Sequence, residues 1–206
     1  RVYVAGDFVS ANGLRRSHLV RLNADGSVDT AFSAAELNNP VVALVVQSDG
    51  KIIIGGEFNS IGSEGRYHIA RLNSDGTLDT AFVTKGFSNI VNALAIQPDG
   101  KILVGGYFTF LYALSSLRTT RNSSARLNAD GSLDAAFDPG ANATPRTFAV
   151  QSDGKIVVGG TFTAVAGQPR NHLARLNADG TLDMTFTIGA GFDSDVQAVR
   201  IFGDGS

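Results

Sequence analysis

Four copies of a unit about fifty residues long fill this chain, and the same residue types mark the same point in each. A Gly-Gly step falls at Gly55, Gly105 and Gly159, with Ala5-Gly6 as its degenerate first copy. An Arg-Leu-Asn triplet begins at Arg21, Arg71, Arg126 and Arg175, and an Asp-Gly step follows at Asp25, Asp75, Asp130 and Asp179. A period of this length belongs to stacked or radially arranged supersecondary units, none of which can bury its apolar face alone. Neighbouring copies must therefore supply one another's core. The repeats run approximately over residues 1–50, 51–100, 101–154 and 155–205 and form a single domain.

Within one copy, residues 41–47 (VVALVVQ) and 51–56 (KIIIGG) are short, β-branched and apolar at nearly every position, as in strands buried on both faces. Ser48-Asp49-Gly50 lies between them, and Asp-Gly between apolar runs is a strong hairpin signal. A third strand around residues 18–23 mixes apolar and polar side chains, and a fourth at residues 27–32, after a second Asp-Gly turn, is more polar still. Burial is thus expected to fall from the first strand to the fourth. That gradient predicts an all-β propeller of four blades, each of four antiparallel strands, with the innermost strands at residues 41–47, 91–97, 145–151 and 196–202. No amphipathic stretch is long enough for a helical or α/β repeat.

The chain opens on a second strand (residues 1–8) and closes on an inner one (residues 196–202). Pairing of these two would shut a four-bladed ring and remove two exposed edges. The alternatives are a part of a larger propeller, or a ring completed by oligomerisation.

These motifs resemble the bacterial delta-60 repeat, a propeller family whose pattern runs G-G-x-F, then R-L-N-x-D-G-S-L-D-x-x-F, then Q-x-D-G-K-I. The third copy carries it as Gly105-Gly106-Tyr107-Phe108, residues 126–137 and residues 151–156. The resemblance implies a secreted or cell-surface bacterial protein and brings no catalytic residues. The chain has no Trp, so it lacks the mark of WD40 repeats.

A net charge of -2, from 17 basic and 19 acidic residues with no basic block, offers no footprint for nucleic acid. No apolar run is long enough to insert as a membrane helix. The absence of Cys excludes disulfides and thiolate chemistry. No cofactor-binding motif is present, so none is expected.

Most polar residues that recur have a structural explanation. Asn23, Asp25 and Asp29, with their equivalents, have an oxygen-rich spacing that makes them weak calcium candidates, but Asx residues also close tight hairpins through their own backbone. His18, His68 and His172 share one position, occupied by Ser123 in the third copy, and read as strand-face residues rather than a shared metal site. The arginines at 21, 71, 126 and 175 and the aspartates at 29, 79, 134 and 183 are placed to face each other across a hairpin. The recurrent Phe residues read as inter-blade packing.

Departures from the repeat are the better place to look for function. From the Phe of G-G-x-F to the next Arg-Leu-Asn, the separations are 13, 13, 18 and 13 residues, so the third copy carries five extra residues. The lengthened segment holds Phe110, Tyr112, Leu114, Arg118 and Arg121, side-chain types enriched at binding hot spots, with Tyr107 just upstream. These are the partner-binding candidates, against the alternative of neutral drift. Without a catalytic motif, the sequence reads as a non-catalytic structural or protein-interaction module whose partners are other protein chains or further repeats. A glycan-binding propeller and an enzyme assembled from several blades are the alternatives. A lectin with equivalent sites should repeat the same aromatics in each inter-blade pocket, and the recurrent aromatics here are strand Phe residues.

Overall fold

The computed structural model describes residues 1–34, 36–84, 86–112 and 118–202. Val41–Val46, Val91–Ile96 and Pro145–Val150 are the inner strands. Each turns at Asp-Gly into a second strand, Ile52–Gly56, Ile102–Gly106 or Ile156–Gly160, which pairs on its far edge with Ile69–Leu72, Ser124–Leu127 or Leu173–Leu176. In the first repeat Val2–Ala5 pairs with Leu19–Leu22. All these ladders are antiparallel and no helix occurs among the described residues, so the chain is an all-β propeller of four repeats.

The fourth strand is shorter than the pattern suggested. It survives as one antiparallel bridge per repeat, Leu22 to Val28, Leu72 to Leu78, Leu127 to Leu133 and Leu176 to Leu182. The burial order also differs. The second strands are buried at all five positions, whereas the inner strands are only partly so. Residues of the second strands enter core clusters shared with neighbouring repeats, Ile53 in one and Ile52 and Ile54 in another.

Glycine makes that stacking possible. A Cβ on Gly55 would stand 2.6 Å from Val91 Cγ1, and one on Gly159 would stand 2.5 Å from Val196 Cγ1, so the next inner strand lies directly on the Gly-Gly step. The Asp-Gly turn of one repeat likewise rests on the Phe of the repeat before it. A Cβ on Gly131 would meet the Phe82 ring at 2.7 Å, and Val83 donates its N–H to Asp130 O at 2.9 Å. Phe32, Phe58, Phe82, Phe108, Phe137 and Phe162 are almost fully buried, each contributing about 1.5–3 kcal/mol by leaving water.

A short hairpin projects between the second and third strands of every repeat: Ser10–Ala11 with Leu14–Arg15, Ser60–Ile61 with Glu64–Gly65, Phe110–Tyr112 with Arg118–Thr120, and Ala164–Val165 with Gln168–Pro169. An Asx or Ser side chain from the preceding loop holds its base. Asn38 Oδ1 accepts from the Asn59 and Ser60 N–H groups, Ser88 Oγ from Thr109 and Phe110, and Asn142 Oδ1 from Thr163 and Ala164.

The expected pairing of residues 1–8 with 196–202 within one chain is not formed. Among the described residues Val2–Ala5 pairs with Leu19–Leu22 alone, and Val2 and Val4 are 55% and 38% exposed. Residues 196–202 form no ladder and lie against the fourth repeat. Val196 donates its N–H to Gly160 O at 3.3 Å, and Val199 donates to Thr147 Oγ1 at 3.2 Å. This is where a further inner strand would stand.

Candidate functional site

The recurrent charges are consumed by the scaffold. Arg21, Arg71, Arg126 and Arg175 each donate from Nε to Asp29, Asp79, Asp134 or Asp183 at 2.8–2.9 Å. Each guanidinium also lies 4.6–4.8 Å from the centre of the Phe ring that closes its repeat. Three of them reach the next repeat, donating to the carbonyls of Ser74, Ala129 and Ala178. A second cation joins from the preceding hairpin: Lys51, Lys101 and Lys155 contact Asp79, Asp134 and Asp183 at 2.8–3.0 Å. The cross-strand pairs are therefore largely buried fasteners between repeats. Burial pushes Asp79 toward higher pKa, but Lys51, the Ala81 N–H and Arg71 outweigh it and hold the carboxyl below its ordinary range.

The calcium candidates are occupied in the same way. Asp25 Oδ1 accepts from the Ser27 N–H and hydroxyl at 2.9 and 2.6 Å, Asn23 donates to Ser27 Oγ at 3.0 Å, and Asp29 faces Arg21. Among the described residues, no group of three His, Asp or Glu side chains is placed to hold a metal. The histidines differ from the strand-face reading. His18, His68 and His172 take left-handed backbone angles (φ 66–67°), and each donates from Nδ1 to the carbonyl of Gly6, Gly56 or Gly160 at 3.0–3.2 Å. Asn, Asp and His adopt this region more readily than most residues, and Ser123 at the same repeat position takes it as well (φ 61°).

The lengthened hairpin builds a different kind of site. Phe110 and Tyr112 are two apart on one strand and share a face, with ring centres 5.1 Å apart and nearly perpendicular. Arg118 pairs directly opposite Tyr112, and its Cζ stands 4.7 Å from the Phe110 ring centre and 5.8 Å from that of Tyr112. Tyr67, from the second repeat, brings a third ring to 5.0 Å from Tyr112 and is 41% exposed. The strand Gly86–Phe87 fixes this approach by pairing with the hairpin at Tyr112 and bridging to Tyr67.

Three sequence candidates, Phe110, Tyr112 and Arg118, thus converge, and Tyr67 was missed. Its signal is that one position reads Ser17, Tyr67, Asn122 and Asn171 in the four repeats. Arg121 does not join: it is buried, with its guanidinium donating to the carbonyls of Thr120 and Ala135. Tyr107 is 45% exposed and makes no ring contact among the described residues. Leu114 lies outside the described residues.

A second group of polar side chains lies at the inner strands. Each inner strand is interrupted by a β-bulge, and the extra residue is Val42, Asn92 or Arg146. Asn92 Oδ1 and Arg146 Nε are shut from solvent without a hydrogen-bond partner, and Arg146 Nη2 stands 3.4 Å from Asp195 Oδ2. Bulges are over-represented beside active sites because they re-aim a side chain out of the ladder.

Fold and repeat together define a β-propeller repeat protein. Residues 1–32, 47–82, 97–137 and 151–186 match the profile of the domain of unknown function (DUF5122) beta-propeller, and the chain belongs to that family. No curated protein matches the chain. Among solved structures, it is similar to XC5397 of Xanthomonas campestris, described as a gluconolactonase important in glucose secondary metabolic pathways. There the TM-score is 0.47 and the identity 19%, over 80% of this chain and 53% of that one. A second structure, assigned to gluconolactonase by protein family, gives a TM-score of 0.47 and 16% identity, over 90% of this chain and 60% of that one. The chain thus spans little more than half the length of either.

The expectation of a non-catalytic module does not stand beside these neighbours, which carry the name of an enzyme. Its physical basis was also weak. A propeller can gather reacting groups from separate repeats, so the absence of a contiguous catalytic motif excludes no enzyme.

Proposed function

We propose that this propeller binds carbohydrate at the ring cluster of Tyr67, Phe110, Tyr112 and Arg118. One observation carries the reading: three aromatic rings and a guanidinium from two repeats meet at a single inter-repeat junction, where the sequence breaks its own pattern. The C–H faces of a sugar ring suit the electron-rich face of an aromatic side chain, and tyrosine and arginine supply polar groups for the hydroxyls. The equivalent positions in other repeats hold Ser10, Ser60 and Ala164 in place of Phe110, so the site is single rather than multivalent. The resemblance to the delta-60 repeat, with the secreted or surface location it implies, belongs to this proposal and suits a protein meeting extracellular glycans.

Calorimetric titration of the chain with oligosaccharides chosen from a glycan array tests it. Tyr67→Ala and Tyr112→Ala are expected to weaken binding at least about tenfold while leaving the melting temperature nearly unchanged. Unaltered affinity in both variants would refute the site.

A second reading, hydrolysis of a sugar lactone, is favoured by the bulge residues at the inner strands. Arg146 holds N–H donors suited to a carbonyl oxygen that gains charge, Asn92 occupies the matching bulge of the neighbouring repeat, and Asp195 offers a carboxylate. Release of acid from gluconolactone, measured for the chain and for Arg146→Ala, tests this reading. Turnover no faster than in buffer would end it.

A further inference from the structure

Resting on the carbohydrate reading, we infer that the saccharide taken at the ring cluster is acidic, presenting a carboxylate or sulfate to Arg118. The charge of this guanidinium is unanswered. The arginines at 21, 71, 126 and 175 each face an aspartate at 2.8–2.9 Å, whereas Arg118 is exposed, lies over the Phe110 ring and has no carboxylate partner among the described residues. Residues 113–117, between the two strands of the hairpin, read Ala-Leu-Ser-Ser-Leu and contain no acidic side chain. A chain with net charge -2 thus leaves an exposed arginine beside the ring cluster with no carboxylate to meet it among the described residues.

Contact with the Phe110 ring restrains the Arg118 guanidinium, whose planar fork of N–H groups presents an edge that can donate to two oxygens of a carboxylate or sulfate at once. A sugar ring on Tyr67 and Tyr112 would bring an acidic substituent within reach of that edge.

Three matched hexasaccharides, one neutral, one built of uronic acid and one sulfated, would be titrated against the whole chain and against Arg118→Gln and Tyr67→Ala. At least one acidic ligand is expected to bind about tenfold tighter than the neutral one. Arg118→Gln should erase that preference, bringing the acidic and neutral ligands to within about twofold of one another, and salt should weaken only the acidic ligands. Whichever acidic ligand carries the preference identifies the substituent. Equal affinity for all three, or a preference that survives Arg118→Gln, overturns the inference and leaves the ring site intact. No binding of any saccharide, or binding indifferent to Tyr67→Ala, overturns the carbohydrate reading and this inference with it.

Discussion

Asp79→Asn is the sharpest test of the fastener that joins the second and third repeats. In the wild-type chain Asp79 Oδ2 accepts from Arg71 Nε and Lys51 Nζ, both at 2.8 Å, and Oδ1 accepts from the Ala81 N–H at 3.0 Å. An asparagine keeps one acceptor and turns an N–H₂ group toward at least one cation. Hydrogen bonds to charged groups contribute about 1.5–3 kcal/mol each, and Arg71, only 8% exposed, cannot retreat to water. The Lys51 side chain is 33% exposed, so its share falls toward the value of a surface pair, below about 1 kcal/mol. The sum is a loss of about 3 kcal/mol, within the range for breaking one partner of a buried pair. For a domain of this size that lowers the melting temperature by about 6–12 °C. Thermal unfolding followed by circular dichroism reads it, with urea titration as a second measure. A shift below about 3 °C would show that Arg71 is held by the Ala129 carbonyl and the Phe82 ring alone. Asp79→Leu with Arg71→Met, which removes both charges, is expected to recover part of the loss.

Asp29, Asp79, Asp134 and Asp183 all have depressed pKa values in the folded chain, so the stability they lend is complete above about pH 5 and is lost as pH falls through their folded values. Melting temperature against pH should therefore be flat near neutrality and fall steeply below about pH 4; a profile flat to pH 2 would refute the coupling. Gly131→Ala should cost about 2–4 kcal/mol, because its Cβ would stand 2.7 Å from the buried Phe82 ring at a φ of 91°. Gly26→Ala, at a φ of 84° with nothing within 4 Å, should cost only about 1 kcal/mol, and urea midpoints that coincide would refute the packing argument. Deleting residues 113–117 restores the hairpin length of the other repeats, and is expected to keep the melting temperature within a few degrees while abolishing saccharide binding measured by calorimetry.

The fold was legible in the sequence because each repeated residue performs one structural task four times. The Asp-Gly spacing sets the hairpins, and with them the register that places Arg71 opposite Asp79. Contacts across sequence-distant segments were not legible. That Lys51 adds a second cation to Asp79, or that Gly131 sits on Phe82, depends on how neighbouring repeats stack, which no single repeat records. The left-handed angle at His68 was hidden for a related reason. Nothing in the residues 68–72 announces that the side chain will bond the carbonyl of Gly56 or that the backbone will take a left-handed angle there.

Arg118 and Arg121 show where recurrence could have been used further. Both looked like hot-spot residues on one inserted loop. Arg121, however, falls on the same repeat position as Arg16, Arg66 and Arg170, and in all four the guanidinium donates to the carbonyl of the residue before it. The rule that repeated residues serve the scaffold assigns Arg121 to structure from sequence alone. Arg118 has no counterpart, since it lies in the lengthened hairpin, and the period of two along a strand turns it to the face opposite Arg121. That face carries Phe110 and Tyr112, and Tyr67 reaches it from a repeat 45 positions away from Tyr112. The position of Tyr67 is itself one where the four repeats disagree. Variation at two sites, joined by stacking, therefore locates the ring cluster, and repetition elsewhere supplies the rigid frame that holds it.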